Sequence, residues 1–125
     1  MNNKGFTLIE LLVTVALLSV IATISFVSIN NIIKESKVNN CKSIVDSIKS
    51  ATSEYVSDNR YGTLNIDGFN AKILIDNNYL KGPIYDPFTK NEINAENIKI
   101  TITLNRDYTL QKATITEPNV LVTCN

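Results

Sequence analysis

Apolar side chains are concentrated in the first quarter of the chain. Between Phe6 and Ile33, 19 of 28 residues are apolar and only Glu10 is charged, whereas 35 of the 92 residues from Lys34 to Asn125 are apolar. As an α-helix, the uncharged run from Leu11 to Ile33 extends about 34 Å, enough to cross a hydrocarbon core of about 30 Å. The pattern predicts a membrane-type helix followed by a water-soluble domain.

A cleaved secretory signal peptide is the competing interpretation of this segment. The apolar region of such a signal is about 7 to 15 residues long and ends at a small-residue cleavage site. Here the apolar run is longer, lacks an Ala-x-Ala site and passes through Asn30 and Asn31 into a pattern without Gly or Pro until Gly62. One long helix fits this pattern better than a cleaved signal.

From Lys34 to about Asp58 the apolar residues narrow to one stripe at a spacing of three and four. Ile44 and Val56 support this stripe, whose members are Val38, Cys41, Val45, Ile48, Thr52 and Tyr55. The pattern predicts an amphipathic outer helix with one buried face. A coiled-coil dimer is the alternative, but the stripe spans under three heptads, so we expect packing on a sheet.

The remaining chain changes from turn signals to strand patterns. Residues 59–97 contain Gly62, Gly68, Gly82-Pro83 and Asp86-Pro87, and they predict a loop region with one short helix near residues 70–78. Alternation predicts a strand over residues 98–104 and a return strand from Tyr108 to Ile115, with a bulge around Gln111 and Lys112. A short third strand is predicted from Val120 to Cys124.

The predicted fold class is α+β. A long N-terminal helix would pack its outer half on a small antiparallel sheet of three or four strands.

Composition excludes several kinds of site. The chain has no His and two Cys, so it can form neither a Ser-His-Asp triad nor a four-thiolate zinc site. Twelve basic residues balance twelve acidic ones, which argues against a nucleic-acid surface. An enzymatic or ligand-binding domain on a membrane anchor remains an alternative, but no paired-acid or phosphate-loop motif supports it.

The residues around Glu10 carry a specific pattern. After the polar residues Met1, Asn2 and Asn3, the sequence reads Lys4-Gly5-Phe6-Thr7-Leu8-Ile9-Glu10-Leu11-Leu12-Val13. This pattern resembles the class III signal of type IV pilins and pseudopilins, and the resemblance covers about the first 33 residues. In that family a membrane-embedded aspartyl peptidase, the prepilin peptidase, cuts after the Gly, and the new N-terminus is methylated.

The resemblance implies roles for three residues. The scissile bond would lie between Gly5 and Phe6, Phe6 would be N-methylated, and Glu10 would be the carboxylate used in assembly. Cleavage would give Phe6 a positively charged α-amine, and both this amine and the Glu10 carboxylate are unfavourable alone in an apolar environment. Pairing Glu10 with the α-amine of Phe6 of a neighbouring subunit offsets much of that cost. Such a pair would set the axial register of neighbouring helices.

The resemblance also implies an organisation. It comprises a leader (1–5), a transmembrane and filament-core helix (6–33) and a head (34–125) made of an outer helix (34–58), a loop region (59–97) and a sheet (98–124).

The implied function is that of a structural subunit of a type IV pilus or pilus-like filament, serving adhesion, motility or secretion. Its partners would be copies of itself, other pilins, the prepilin peptidase, and the assembly platform with its ATPase. It would be a single-pass membrane protein before assembly and part of an extracellular filament afterwards. We expect no enzymatic activity, no cofactor and no nucleic-acid partner.

Two positions depart from the pattern of filament-forming pilins. Many of these carry a Gly and a Pro within the apolar helix, where the corresponding residues here are Ser19 and Val27. Neither residue breaks a helix. A pseudopilin, or a minor or competence pilin of a secretion or DNA-uptake machine, is therefore the alternative function.

Cys41 and Cys124 are the only cysteines. Cys41 lies on the buried stripe, and Cys124 shares strand parity with Val120 and Val122, so both thiols are predicted to face the same interface. Outside the cytoplasm they could form a disulfide, and two buried free thiols are the alternative.

The acidic residues of the loop region raise the question of a metal site. Asp67, Asp76 and Asp86 could contribute to a calcium site, but their spacing matches no ligand motif and turn formation explains them equally well. We expect no metal site there.

Overall fold

The computed structural model describes residues 4–60, 62, 64 and 66–124. The predicted leader begins with Met1, Asn2 and Asn3, which lie outside the described residues. The chain divides into two compact units, Met1–Ser36 and Lys37–Asn125.

The first element is a helix of 52 residues, α1 (Leu8–Asn59). Its sequence contains neither Gly nor Pro, and its backbone stays helical through Ser19 and Val27. The prediction of one long helix that continues beyond the apolar segment is therefore confirmed.

The outer part of α1 buries one face in the core of the second unit. The predicted stripe is buried at Cys41, Val45, Ile48 and Thr52, and Ala51 and Val56 are buried beside it. The buried hydroxyl of Thr52 donates a hydrogen bond to the carbonyl of Ile48 at 2.7 Å, which satisfies it inside the core. Val38 is 39% exposed, so the buried stripe starts one turn later than predicted.

Two strands predicted by alternation pair with each other. Strands β3 (Ile100–Leu104) and β4 (Leu110–Ile115) are antiparallel, and Ile100 lies opposite Ile115. Their buried residues, Ile100, Ile102, Ala113 and Ile115, alternate along the strands and join the same core as α1.

The register of this pair shifts near the turn. Thr103 pairs with Lys112 and Leu104 pairs with Leu110, which leaves Gln111 as the extra residue of β4. The bulge predicted around Gln111 and Lys112 is thus confirmed.

The loop region has more structure than predicted. The expected short helix is present as α2 (Ala71–Asp76), with the Asn70 side chain accepting a hydrogen bond from the Ile73 amide as its N-cap. An additional hairpin joins β1 (Ile84–Tyr85) to β2 (Glu92–Ile93), and a short 3₁₀ helix follows at Ala95–Asn97. The described residues therefore form two two-stranded sheets where one larger sheet was predicted.

The predicted third strand is wrong. Residues Asn119–Val122 form a single helical turn, α3, and the amides of Leu121 and Val122 both donate to the carbonyl of Pro118. Leu121 is fully buried, whereas strand parity would have buried Val122 in its place. The run of three apolar residues from Val120 to Val122 is too short for periodicity to separate a strand from a helical turn.

An aromatic cluster holds α2 against the end of α1. The ring centroid of Tyr55 lies 5.4 Å from that of Phe69 and 5.3 Å from that of Tyr79. The Tyr79 hydroxyl donates to Asp58 at 2.9 Å, and this hydrogen bond is the main reason that the pKa of Tyr79 is raised. The architecture is α+β and pilin-like, a long N-terminal helix followed by small antiparallel sheets.

Candidate functional site

The segment before α1 is open around the predicted cleavage position. Residues 4–7 precede the helix in irregular backbone. Phe6 is 87% exposed, and a Cβ atom added to Gly5 would meet nothing within 4 Å. A partner can therefore approach the peptide bond between Gly5 and Phe6 without displacing other parts of the first unit.

Helix α1 starts with a reciprocal pair of hydrogen bonds between Thr7 and Glu10. The Thr7 amide donates to Oε2 of Glu10 at 3.0 Å, and the Glu10 amide donates to Oγ1 of Thr7 at 3.3 Å. This is a capping box, in which each side chain satisfies an amide that the first helical turn leaves without a partner. The carboxylate of Glu10 is thus turned back toward the start of the helix.

Thr7 is a functional neighbour that the sequence interpretation missed. A Thr followed by a Glu three residues later, just before an apolar run, is the sequence signature of a capping box. The signal was present in Thr7-Leu8-Ile9-Glu10. The capping box was missed because Glu10 was considered only as a charge in an apolar segment.

Glu10 lies on an otherwise apolar face of α1. A surface groove of about 410 Å³ is lined by residues at a spacing of three and four, namely Phe6, Ile9, Glu10, Val13, Thr14 and Leu17. Phe6 and Glu10 therefore border the same groove, and the carboxylate supplies the negative charge of that groove.

The hydroxyl groups of the apolar helix are satisfied within the helix. Each donates to a carbonyl one turn earlier; these residues are Thr14, Ser19, Thr23, Ser25 and Ser28. The helix can therefore enter an apolar environment without leaving these groups unpaired.

Among the described residues, α1 is the one helix long and apolar enough to cross a membrane. The large apolar side chains described between Leu8 and Ile33 are exposed, so the described part of the chain does not cover them. A signal sequence near an N-terminus can meet the same criterion of length and composition, so this observation alone does not identify the segment.

The second unit holds the two cysteines. Cys41 on α1 and Cys124, two residues after α3, form a disulfide between residues 83 apart in sequence, with their Cα atoms 5.9 Å apart. Both residues are buried. The bond ties the end of the chain to α1 from a helical turn, where the sequence predicted a strand.

Asp86, one of the acidic residues of the loop region, serves local structure. Oδ1 of Asp86 accepts hydrogen bonds from the amides of Phe88 at 2.7 Å and Thr89 at 3.3 Å, and these bonds lower the pKa of Asp86. In the part of the chain that the structure describes, no group of three or more Asp, Glu, Cys or His residues is arranged to hold a metal ion.

The predicted site residues thus fall into two sets. Gly5, Phe6 and Glu10 lie together at the start of α1 in the first unit, and Cys41 and Cys124 are bonded in the second unit.

Comparison with known proteins gives a match in the region of Gly5, Phe6 and Glu10. The family model of the prokaryotic N-terminal methylation motif matches residues 1–26, which contain Gly5, Phe6, Thr7 and Glu10. No curated protein and no solved structure matches the chain. The N-terminus of this chain is therefore the prokaryotic N-terminal methylation motif, the class III prepilin signal of type IV pilins.

Proposed function

We propose that this chain is a structural subunit of a type IV pilus or pilus-like filament. A prepilin peptidase cleaves it between Gly5 and Phe6, Phe6 is N-methylated, and the mature chain polymerises through α1 with the help of an assembly platform and its ATPase. The methylation motif at residues 1–26 is the observation that carries this proposal.

The exposed apolar surface of α1 supports a filament core. Large apolar side chains between Leu8 and Ile33 are uncovered in the single chain. Contact with water costs about 25 cal/mol per Å² of such surface, so the segment needs either a bilayer or other apolar helices around it. The bilayer satisfies this need before assembly, and neighbouring copies of α1 satisfy it in the filament.

Glu10 supports a defined register between these helices. Cleavage would create a cationic α-amine on Phe6, beside the groove that contains the Glu10 carboxylate. Two charges in an apolar environment are each unfavourable alone, and pairing them offsets part of that cost. A neighbouring subunit placed so that its amine meets this carboxylate is favoured over other axial positions.

The substitution Glu10→Gln tests this role. Gln preserves the hydrogen-bond acceptor of the capping box, so the start of α1 should be retained while the charge is lost. We expect the variant to be cleaved and inserted normally but incorporated into filaments at least about tenfold less, as measured by immunogold labelling in electron micrographs.

Because Gln has nearly the same shape as Glu, Glu10→Gln removes the charge and keeps the helix cap. A Leu12→Met variant, altered two residues away on the exposed surface of the same helix, is the matched control and should assemble normally. Normal assembly of Glu10→Gln as the main subunit would contradict the charge pair.

A pseudopilin, or a minor or competence pilin, is the second candidate. The helical backbone at Ser19 and Val27 favours it, because filament-forming pilins with Gly and Pro at the corresponding positions can unwind there. Loss of all filaments on deleting this chain would identify the main subunit, and loss of few or none would favour the second candidate.

A further inference from the structure

The turn between β3 and β4 contains an unusual backbone conformation. In the Tyr108 turn (residues 105–109), the Asn105 amide donates to the Thr109 carbonyl at 2.8 Å and the Tyr108 amide donates to the Asn105 carbonyl at 3.0 Å. Tyr108 has a φ of 60°, in the left-handed region. Gly or Asn is usual at such a position, and a bulky aromatic residue is an outlier.

Burial of the Tyr108 side chain does not compensate for the strain of this backbone conformation. Its side chain is 64% exposed, so it contributes little to the core. A strained and exposed aromatic residue is a common feature of binding surfaces, where Tyr is also enriched among the residues that dominate affinity.

The charges around Tyr108 favour an acidic partner. Arg106 is exposed two residues earlier. Oδ1 of Asp107 accepts hydrogen bonds from the amide and hydroxyl of Thr109, and the positive charge of Arg60 also acts on this carboxylate. Asp107 is exposed as well, so the turn combines one exposed aromatic ring with two positive charges, from Arg106 and nearby Arg60, and one negative charge.

A concave surface of opposite character lies elsewhere in the same unit. The acidic cleft, about 690 Å³ between α2, the β1–β2 hairpin and the 3₁₀ helix, has apolar walls that include Ile75, Pro83, Ile84 and Ile93. Asp76 and Glu92 add negative charge to its lining. Lys72, the one basic residue among the described lining residues, pairs with Glu96 at 3.1 Å and also interacts with Asp76. Three carboxylates and one ammonium group thus leave the cleft with an excess of negative charge.

Gly82 keeps one wall of the cleft open. A Cβ atom at this position would lie 3.0 Å from Cδ1 of Ile75, closer than ordinary contact. A side chain here would displace Ile75, which lines the cleft.

The Tyr108 turn and the acidic cleft lie at opposite ends of β3. The 3₁₀ helix that borders the cleft precedes this strand, and the Tyr108 turn follows it. The turn borders a groove with Ser53 and Ser57 of α1, whereas the hairpin borders a groove with Ser43 and Ile44. The centres of these two stretches of α1, residues 40–48 and 53–57, are about 17 Å apart along the helix axis.

We propose that the Tyr108 turn of one copy docks into the acidic cleft of a second copy, with the Tyr108 ring against the apolar walls and Arg106 facing Asp76 and Glu92. Two different surfaces at opposite ends of the unit make a head-to-tail contact, which repeats along an open filament rather than closing into a dimer. The filament geometry rests on the proposed function, in which the copies of α1 run parallel.

The substitution Tyr108→Gly separates assembly from stability. Gly adopts a positive φ without strain, so the thermal unfolding temperature of the full chain should rise. Removing the aromatic ring should lower the filament yield about tenfold or more. A variant that is more stable yet assembles worse cannot be explained by misfolding, and a normal filament yield would overturn the proposal.

Lys90→Gly is the matched control. Lys90 also has a positive φ, of 66°, in the β1–β2 hairpin. This variant should gain stability in the same way and keep its filament yield.

Charge exchange and cross-linking identify the partner surface. Arg106→Glu and Glu92→Arg should each lower the filament yield, and their combination should restore it. In addition, a photoreactive benzoylphenylalanine at position 108 should cross-link to the cleft-lining segment of a second copy (residues 72–76, 82–84 and 92–95), as mapped by mass spectrometry.

The cross-link also distinguishes this contact from the filament proposal itself. A cross-link to that segment in chains that form no filament would support the contact while refuting the filament function. A cross-link to another protein, or to another segment of this chain, would overturn the contact.

Discussion

At the scale of single residues, Glu10 has two roles, one in capping α1 and one in placing a charge in a groove, whereas the sequence pattern drew attention to its charge alone. Its carboxylate caps α1 through the Thr7 amide, and it also places a negative charge in the groove that Phe6 borders. The capping role explains why the carboxylate points back toward the cleavage position. The charge is then positioned before any neighbouring subunit arrives.

Thr7 should control the order of the first helical turn. Replacing an N-cap Thr by a residue without the acceptor costs about 0.5 to 2 kcal/mol. We expect Thr7→Val to increase amide hydrogen exchange in Leu8 to Leu11 several-fold, in detergent micelles, relative to the wild type. Thr7→Ser retains the hydroxyl and should exchange like the wild type. Equal exchange in all three proteins would contradict the capping box.

Asp86 and Asp107 should make the second unit sensitive to acid. Hydrogen bonds, mainly from the Phe88 amide and the Thr109 hydroxyl, lower the pKa of these carboxyls below the ordinary value of 3.8. A carboxyl with a lowered pKa stabilises the fold above its unfolded-state pKa, and this stabilisation is lost as the pH falls through the folded-state value.

Asp86 and Asp107 should leave the unfolding temperature almost unchanged between about pH 7 and 5. At pH values below about 4 the unfolding temperature should decrease. The double variant Asp86→Asn/Asp107→Asn keeps the turn acceptors but removes the titration, so its unfolding temperature should fall less below pH 4. Thermal unfolding at pH 7 and pH 3 measures the difference. Identical losses in both proteins would refute this origin of the acid sensitivity.

At the scale of elements, the disulfide joins the residues after α3, the shortest of the described α-helices, to α1, the longest. It closes a loop between residues 83 apart, for which the chain-entropy description gives about 4 to 5 kcal/mol of stabilisation. Leu121 in α3 is fully buried, so release of the chain end also exposes part of the core.

Cys124→Ser should therefore lower the free energy of unfolding by several kcal/mol, about 2 to 5 on measured precedents for native disulfides. Cys41→Ser should have a similar effect, whereas Thr123→Ser, beside the bond, should have almost none. Chemical denaturation with and without reductant measures these changes. A wild-type protein whose stability and mass are unchanged by reductant would show that the bond is absent in solution.

The elements that could be predicted are those with long or regular patterns. Residues 8–59 contain no helix breaker, and Ile98 to Leu104 alternate without exception, so α1 and β3 follow from the sequence. The bulge at Gln111 also followed, because the alternation slips there.

Shorter elements depend on tertiary contacts that the sequence does not display. Strands β1 and β2 have two residues each, too few for any periodicity. The run after Pro118 forms a helical turn in which Leu121 is fully buried, Val120 packs partly against the core and Val122 is exposed. The positive φ of Tyr108 could not be predicted from the sequence either, because a turn rich in Asn and Asp gives no reason to expect strain at an aromatic residue.

At the scale of the whole molecule, the uneven distribution of apolar residues has one consistent interpretation. The first unit exposes an apolar helix and the second has a closed core with a disulfide, so the chain requires an apolar environment for only one of its units. Cleavage after Gly5 would remove Lys4, leaving eleven basic and twelve acidic residues in the mature chain. In the proposed filament, this small net charge of the mature chain would cause little repulsion between neighbouring copies.

The most direct test of the account is the mass of the N-terminal peptide of this chain, taken from filaments sheared off the cell surface. The account predicts a peptide that starts at N-methylated Phe6, while a Gly5→Val variant retains residues 1–5 and stays in the membrane fraction. Recovery of the wild-type chain only from membranes, with Gly5 still attached to Phe6, would contradict it.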